Sequence, residues 1–145
     1  MILLKNLSAF NVPMEDMIEI YILYICSVVD QSAVVWHSPL TGGEQLDLER
    51  MQKVALRIIL KDDYTGYSDA LELTGLDTLK SRRKKLCRNF AKKCAKNEVT
   101  KDMFPLNETQ ANTRNPEKFR VPFARTGRLA NSAIPYMARL LNEKQ

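Results

Sequence analysis

Residues 77–97 read DTLKSRRKKLCRNFAKKCAKN and carry the clearest structural signal in the chain. At 100° per residue, one face of a helix collects the apolar side chains Leu79, Leu86, Cys87, Phe90, Ala91 and Cys94. The remaining surface collects the cations Arg82, Lys84, Lys85, Arg88, Lys92, Lys93 and Lys96. The pattern predicts a basic amphipathic helix over residues 77–97, with Asp77 or Thr78 as its N-cap.

Arg83 is the exception to this pattern, because it falls in the middle of the apolar face. A buried charge without a partner is strongly destabilising. We therefore predict that Arg83 forms a structural ion pair with a carboxylate or contacts a C-terminal carbonyl of another helix.

Four further segments are predicted to be helical. The segment from Pro13 to about Trp36 has Glu15 and Asp16 in its first turn and predicts one helix, with a strand over residues 20–29 as the alternative. A second helix is predicted over residues 44–61, and a short one over residues 68–73 ends at Gly75. Residues 127–142 are again periodic, and Pro135 either begins or kinks that helix.

The composition agrees with a helical fold. The chain has 145 residues, of which 45% are hydrophobic, 8% are aromatic and only five are Gly, which disfavours a β-sandwich or barrel. We predict an all-α fold of about four to five helices. Its predicted organisation is a helical domain over residues 1–97, a polar mobile connection over residues 98–126 and a C-terminal helix over residues 127–145.

Charge is distributed very unevenly along the chain. Residues 1–77 hold 5 basic and 12 acidic side chains, residues 78–97 hold 9 and none, and residues 98–145 hold 8 and 5. One segment thus accounts for the net charge of +5. This asymmetry indicates a polyanionic partner such as nucleic acid, or pairing of the basic helix with an acidic one.

Several site classes are disfavoured by the sequence. One His and three Cys without a CxxC pair do not supply a structural zinc site, and we expect no cofactor. No motif of a phosphate-binding loop or nucleophilic triad occurs, and His37 follows Trp36 where a helix-terminal or surface role is favoured over catalysis. The most apolar run is too short to span a membrane, no secretory leader is visible, and we expect an intracellular location, cytoplasmic or nuclear.

Four stretches, taken in order, resemble a known family. They are NVPMEDM (residues 11–17), YILYI (21–25), VVDQSAVVWHSPL (28–40) and LDLERMQKVALRII (46–59). They resemble the region after the palm in reverse transcriptases of non-LTR retrotransposons of the Jockey and CR1 kind. The matching positions are Asp30, Val35, Trp36, Leu48, Gln52, Ala55 and Arg57; the pair Arg82-Arg83 and residues 128–137 resemble the family's tail. The family has Arg-Pro where this chain has Cys26-Ser27.

This resemblance implies a thumb-like piece without the polymerase centre. The Asp-Asp turn of the family's palm is absent, and Asp62-Asp63 follows the matching helices, where a turn is the favoured interpretation; a metal-dependent enzyme is the third hypothesis. The resemblance implies a non-catalytic fragment that binds RNA or DNA, in particular an RNA–DNA duplex, beside a reverse-transcriptase palm. Self-association is expected of such a detached piece, because it would expose apolar surface.

The cations that would contact phosphate in this hypothesis are those of the basic helix. They are Arg82, Lys84, Lys85, Arg88, Lys92, Lys93 and Lys96. The alternative is a helical protein-interaction module whose basic helix docks on an acidic protein surface.

Overall fold

The computed structural model describes residues 1–107 and 118–143, and these are mostly helical. The predicted all-α fold class is confirmed. Within the described ranges, β-structure is limited to one isolated antiparallel bridge between Leu106 and Phe119.

The helices up to residue 96 follow one another with short connections. The first part of the chain forms α1 (Ile2–Ala9), α2 (Met14–Ile20), a π-helix (Tyr21–Cys26), α3 (Ser27–Asp30) and α4 (Ala33–Trp36). The middle forms α5 (Gly42–Leu60), a 3-10 turn (Lys61–Asp63), α6 (Tyr67–Thr74) and α7 (Leu79–Lys96). A second 3-10 turn (Lys101–Met103), α8 (Gly127–Ala130) and α9 (Ala133–Asn142) follow.

The prediction of a single helix from Pro13 to Trp36 is wrong, because the helix is broken at Gln31 and Ser32. Residues 14–30 are continuously helical, which removes the strand alternative, but the backbone leaves the helix at Gln31. Ser32 then adopts a left-handed conformation with φ of 54°, and α4 starts after it. A left-handed residue cannot continue a right-handed helix. Neither Gln31 nor Ser32 is a strong helix breaker, and the break could therefore not be predicted from residue type.

The ends of the other helices follow capping chemistry. The Thr41 hydroxyl accepts a hydrogen bond from the Glu44 backbone N–H, and the Glu44 carboxylate accepts one from the Thr41 N–H. Gly75 ends α6 with φ of 66°, as its predicted C-cap role requires.

The Thr78 hydroxyl accepts a hydrogen bond from the Ser81 N–H at 3.1 Å, so Thr78 rather than Asp77 caps α7. Pro135 is the third residue of α9, where a missing N–H removes no helical hydrogen bond.

The chain forms two compact units. The first contains residues Met1–Gln31 and Thr41–Arg82. Its core joins α1, α2, the π-helix and α5, and its main buried side chains are Leu4, Met17, Tyr21, Ala55 and Ile59. A neighbouring cluster of Leu56, Leu60 and Ala70 packs α5 against α6.

The second unit contains residues Ser32–Leu40 and Arg83–Gln145. Its buried cluster is formed by Cys87, Ala91, Cys94, Phe104, Met137, Ala138 and Leu140. One of the points where the chain passes between the units lies inside α7, between Arg82 and Arg83.

Part of the predicted polar connection contributes to this second core. Phe104 is 2% exposed, and Phe119 and Val121 pack against the cluster. The Asn142 amide pairs with both backbone groups of Phe119 at 2.9 Å. The mobility expected for residues 98–126 falls partly on residues 108–117, which lie outside the described residues.

No helix in the described part of the chain is both long enough and apolar enough to cross a membrane.

Candidate nucleic-acid interface

The start of α7 is held by two polar side chains of α5. Gln52 is 1% exposed; its Nε2 donates to the Asp77 carbonyl at 3.1 Å, and its Oε1 accepts from the Leu79 N–H at 3.1 Å. The Glu49 carboxylate accepts from the Lys80 N–H at 2.7 Å. The first N–H groups of a helix have no acceptor within the helix. Side chains of α5 supply the acceptors for the N–H groups of Leu79 and Lys80.

The apolar face predicted for α7 is largely buried. Leu79, Cys87, Ala91 and Cys94 belong to the buried core, whereas Phe90 is 40% exposed. With this face directed inward, the cationic positions fall into two groups: some pair with carboxylates of the chain, and others point outward.

Arg82 belongs to the paired group. Its Nε donates to Asp30 Oδ2 at 2.6 Å, and the Asp30 side chain is only 14% exposed. Burial alone would lower the pKa of the Arg82 guanidinium, but the hydrogen bond and charge of Asp30 outweigh burial, and the net shift is upward. Arg82 therefore stays charged and is engaged within the first unit.

Lys84 and Arg88 share one carboxylate. Lys84 Nζ lies 2.9 Å from Glu143 Oε2, and an Arg88 guanidinium nitrogen donates to the same oxygen. Glu143 follows the last helix, α9, and is 44% exposed. These pairs are thus accessible to water and to competing anions.

The outward group comprises Lys92, Lys93 and Lys96, which are exposed; Lys85 is exposed as well. Among the residues that the structure describes, no carboxylate pairs with Lys92, Lys93 or Lys96. Lys93 and Lys96 lie in the last turn of α7, where cations also stabilise the helix dipole. A polyanion can therefore contact these three lysines without displacing a carboxylate of the described residues.

Arg83 is fully buried, as its place on the apolar face predicted. Its Nε donates to His37 Nδ1 at 3.3 Å, and its guanidinium carbon lies 5.5 Å from the centroid of the Trp36 ring. The predicted partner of Arg83, a carboxylate or a C-terminal carbonyl of another helix, stays a prediction. The contacts that the structure does describe are with rings of α4 and its C-cap, which the sequence pattern could not identify.

His37 is buried, which rules out a surface role. Because Arg83 only donates, His37 Nδ1 is the accepting nitrogen, and in the neutral ring Nε2 carries the proton. That proton points to the Tyr136 hydroxyl, 3.2 Å away, and the two rings meet edge-on. His37 thus links α4, α7 and α9 within the second unit.

Two exposed lysines that the sequence analysis did not select lie near this group. Lys101 and Lys118 line a half-open cavity of about 990 Å³ together with Lys92 and Lys96. Its remaining lining is mainly apolar, from Ala95, Phe104, Pro105, Leu106, Phe119 and Leu141. Three separated segments supply the lysines, and no local spacing rule could have grouped them.

Other candidate chemistries find little support. Asp62 and Asp63 are exposed in a 3-10 turn, and in the described ranges no three His, Cys, Asp or Glu side chains are grouped as metal ligands would be. Cys26, Cys87 and Cys94 are buried, unbridged thiols. Burial raises the pKa of the Cys26 and Cys87 thiols, which disfavours the reactive thiolate.

The candidate interface is therefore the C-terminal half of α7 with the neighbouring lysine-rimmed cavity. Comparisons with family models, curated proteins and solved structures find no match to this chain.

Proposed function

We propose that this chain is a non-catalytic, reverse-transcriptase-like helical protein that binds RNA or DNA, in particular an RNA–DNA duplex. The observation that carries the proposal is the exposure of Lys92, Lys93 and Lys96, which have no ion-pair partner among the described residues. Their ammonium groups are available to neutralise phosphates and release counterions, which gives salt-dependent binding with little sequence preference.

The paired cations have a smaller role in this proposal. Arg82 would have to leave a half-buried carboxylate before it could contact phosphate. Lys84 and Arg88 would have to exchange Glu143 for a phosphate, which is less costly because that pair is exposed. The proposed contact set is therefore centred on residues 92–96 rather than spread evenly over α7.

The wider setting of the protein is part of the same proposal. It places the chain in the cytoplasm or nucleus, beside a reverse-transcriptase palm, and requires no cofactor. This setting depends on the resemblance of residues 11–142, whereas phosphate binding depends on the lysines alone.

A second candidate function is docking of α7 on an acidic protein surface. The ion pairs of α7 cations with Asp30 and Glu143 favour it, because they are the kind of contact that such docking would extend to a partner. Both candidates use the same lysines, and salt sensitivity alone does not separate them.

Fluorescence anisotropy of a labelled RNA–DNA hybrid tests the first candidate. The variant combines Lys92→Gln, Lys93→Gln and Lys96→Gln, and the matched control combines Lys5→Gln, Arg50→Gln and Arg57→Gln, three exposed cations of the first unit. We expect the variant to bind at least about tenfold more weakly than the wild type and the control to change little. Equal losses in both would mean that binding follows net charge only.

Competition separates the two candidates. Polyglutamate serves as the acidic competitor, at the same concentration of negative charge as an unlabelled hybrid. We expect the unlabelled hybrid to displace the labelled one at a much lower concentration than polyglutamate does. Displacement at equal charge concentrations would favour the acidic-surface candidate.

A further inference from the structure

The lysine-rimmed cavity combines an excess of positive charge with an apolar floor, and a solvated helix face has no concave apolar surface of this kind. Four lysines line it: Lys92 and Lys96 of α7, Lys101 of the 3-10 turn and Lys118. One acid, Asp102, also lines it, and Lys101 pairs with the exposed Glu98. The cavity therefore keeps a clear excess of positive charge.

The floor of the cavity is apolar. Phe104 forms part of the buried core, and Phe119 packs against that core, so the floor is built on fixed side chains. Leu106 is 60% exposed at the same cavity. An exposed apolar surface inside a concavity is typical of a ligand site.

These properties select for a ligand with an apolar body and more than one negative charge. Because Lys101 already pairs with Glu98, a ligand with a single carboxylate would leave at least two of Lys92, Lys96 and Lys118 without an anion among the described residues. A nucleotide within a strand has a base with apolar faces and a phosphate on each side. Its dimensions are compatible with a cavity of about 990 Å³.

We infer that this cavity receives one unstacked nucleotide of a single-stranded segment adjoining the duplex. The inference rests on the proposed function, because Lys92 and Lys96 belong both to the cavity and to the proposed phosphate-contacting group. The base packs against Leu106 and Phe119, and the lysines hold the flanking phosphates.

The Lys118 side chain has to move before a base can pack against Phe119. Its Nζ now lies 5.8 Å from the centroid of the Phe119 ring. The side chain is exposed, and its four-carbon stem allows the ammonium group to turn from the ring toward a phosphate. The base then replaces the ammonium group on the ring.

The test compares a blunt RNA–DNA hybrid with one that carries a three-nucleotide overhang containing 4-thiouridine. The cavity variant combines Leu106→Ala and Lys118→Gln, and the matched control combines Val99→Ala and Arg125→Gln, both exposed and outside the cavity. All four positions are exposed, so folding should be preserved. We expect the overhang to tighten wild-type binding about tenfold. The cavity variant should lose this gain and the control should keep it.

Photocrosslinking gives a second readout. The 4-thiouridine should crosslink to the peptide that contains Leu106 or to the one that contains Phe119, as identified by mass spectrometry. Equal affinity for blunt and overhanging hybrids would overturn the cavity inference and leave the proposed function standing. A gain retained by the cavity variant would also overturn it, because the overhang would then bind elsewhere. Failure of both hybrids to bind would overturn the proposed function together with the inference.

Discussion

At the scale of single residues, one buried amide holds the start of α7 within the first unit. Gln52 lies between apolar positions of α5 and bonds the Asp77 carbonyl, the Leu79 N–H and the Tyr67 hydroxyl. The sequence placed Gln52 on a helix, but its partners lie 15 to 27 positions further along the chain. The spacing of apolar residues describes one helix at a time, and it could not identify hydrogen bonds between Gln52 and residues of other elements.

Replacing Gln52 should therefore destabilise the protein. Gln52→Ala leaves the buried N–H of Leu79 without a partner, which should lower the free energy of unfolding by about 1–3 kcal/mol. Urea unfolding followed by circular dichroism measures the change. Arg50→Ala, which removes only an exposed ion pair on the same helix, should stay within about 0.5 kcal/mol. Equal effects of the two substitutions would contradict the assigned role.

The capping box at Thr41 predicts a pH dependence. The Glu44 carboxylate accepts hydrogen bonds from the Thr41 N–H and hydroxyl, and these lower its pKa below the ordinary 4.5. A folded pKa below the unfolded value stabilises the fold above the unfolded pKa, and this contribution is lost as pH falls through the lowered pKa. The stability advantage of the wild type over Glu44→Gln should be present at pH 7 and smaller at pH 3. Thermal unfolding at both pH values tests this, and an advantage independent of pH would contradict it.

At the scale of elements, the π-helix explains where helical periodicity misplaced side chains. At 100° per residue, Val28 falls on the same side of a helix as the buried Met17 and Tyr21, but Val28 is 68% exposed. In a π-helix each residue bonds the fifth one along, which adds a residue and rotates every later position. Tyr21 and Cys26, five positions apart, are consequently both buried.

The sharing of Glu143 by Lys84 and Arg88 leads to a prediction about α7. Glu143→Gln releases both cations toward the proposed phosphate partner, so the hybrid should bind severalfold more tightly. The melting temperature should change little, because ion pairs this exposed contribute at most about 1 kcal/mol.

The control for this prediction is Glu72→Gln, which removes an exposed acid of α6. It changes the net charge equally without releasing a cation of α7. If both variants raise affinity equally, total charge and not the release of Lys84 and Arg88 sets the affinity.

At the scale of the whole molecule, the sequence predicted the helical class and most helices but not the grouping into units. Apolar spacing placed α5, α6 and α7 closely, because each has one buried face and clear end signals. Phe104 and Phe119 were assigned to a polar connection because they stand singly among polar residues, yet both take part in the second core. The lysine-rimmed cavity likewise depends on tertiary packing, which brings residues 92, 96, 101 and 118 together.

Exposed apolar side chains of the first unit predict self-association. Leu23, Tyr24 and Val28 are 59%, 64% and 68% exposed along one continuous helical segment. Covering them with a second copy would remove apolar surface from water. Light scattering after size exclusion should show a mass that rises with protein concentration.

The variant with Leu23→Lys and Val28→Lys should then stay monomeric. The matched control is Val99→Lys, which changes an isolated exposed side chain. A wild-type chain that stays monomeric at every concentration and melts sharply would contradict both the patch and the idea of a detached piece.

The most direct test of phosphate binding by α7 is the salt dependence of hybrid affinity. The logarithm of the association constant should fall linearly with the logarithm of salt concentration, by roughly 0.9 per phosphate neutralised. Removing the charges of Lys92, Lys93 and Lys96 should make this slope shallower by roughly 2 to 3, whereas the Lys5, Arg50 and Arg57 control should keep the wild-type slope. An unchanged slope in the first variant, or no binding at low salt, would contradict the account.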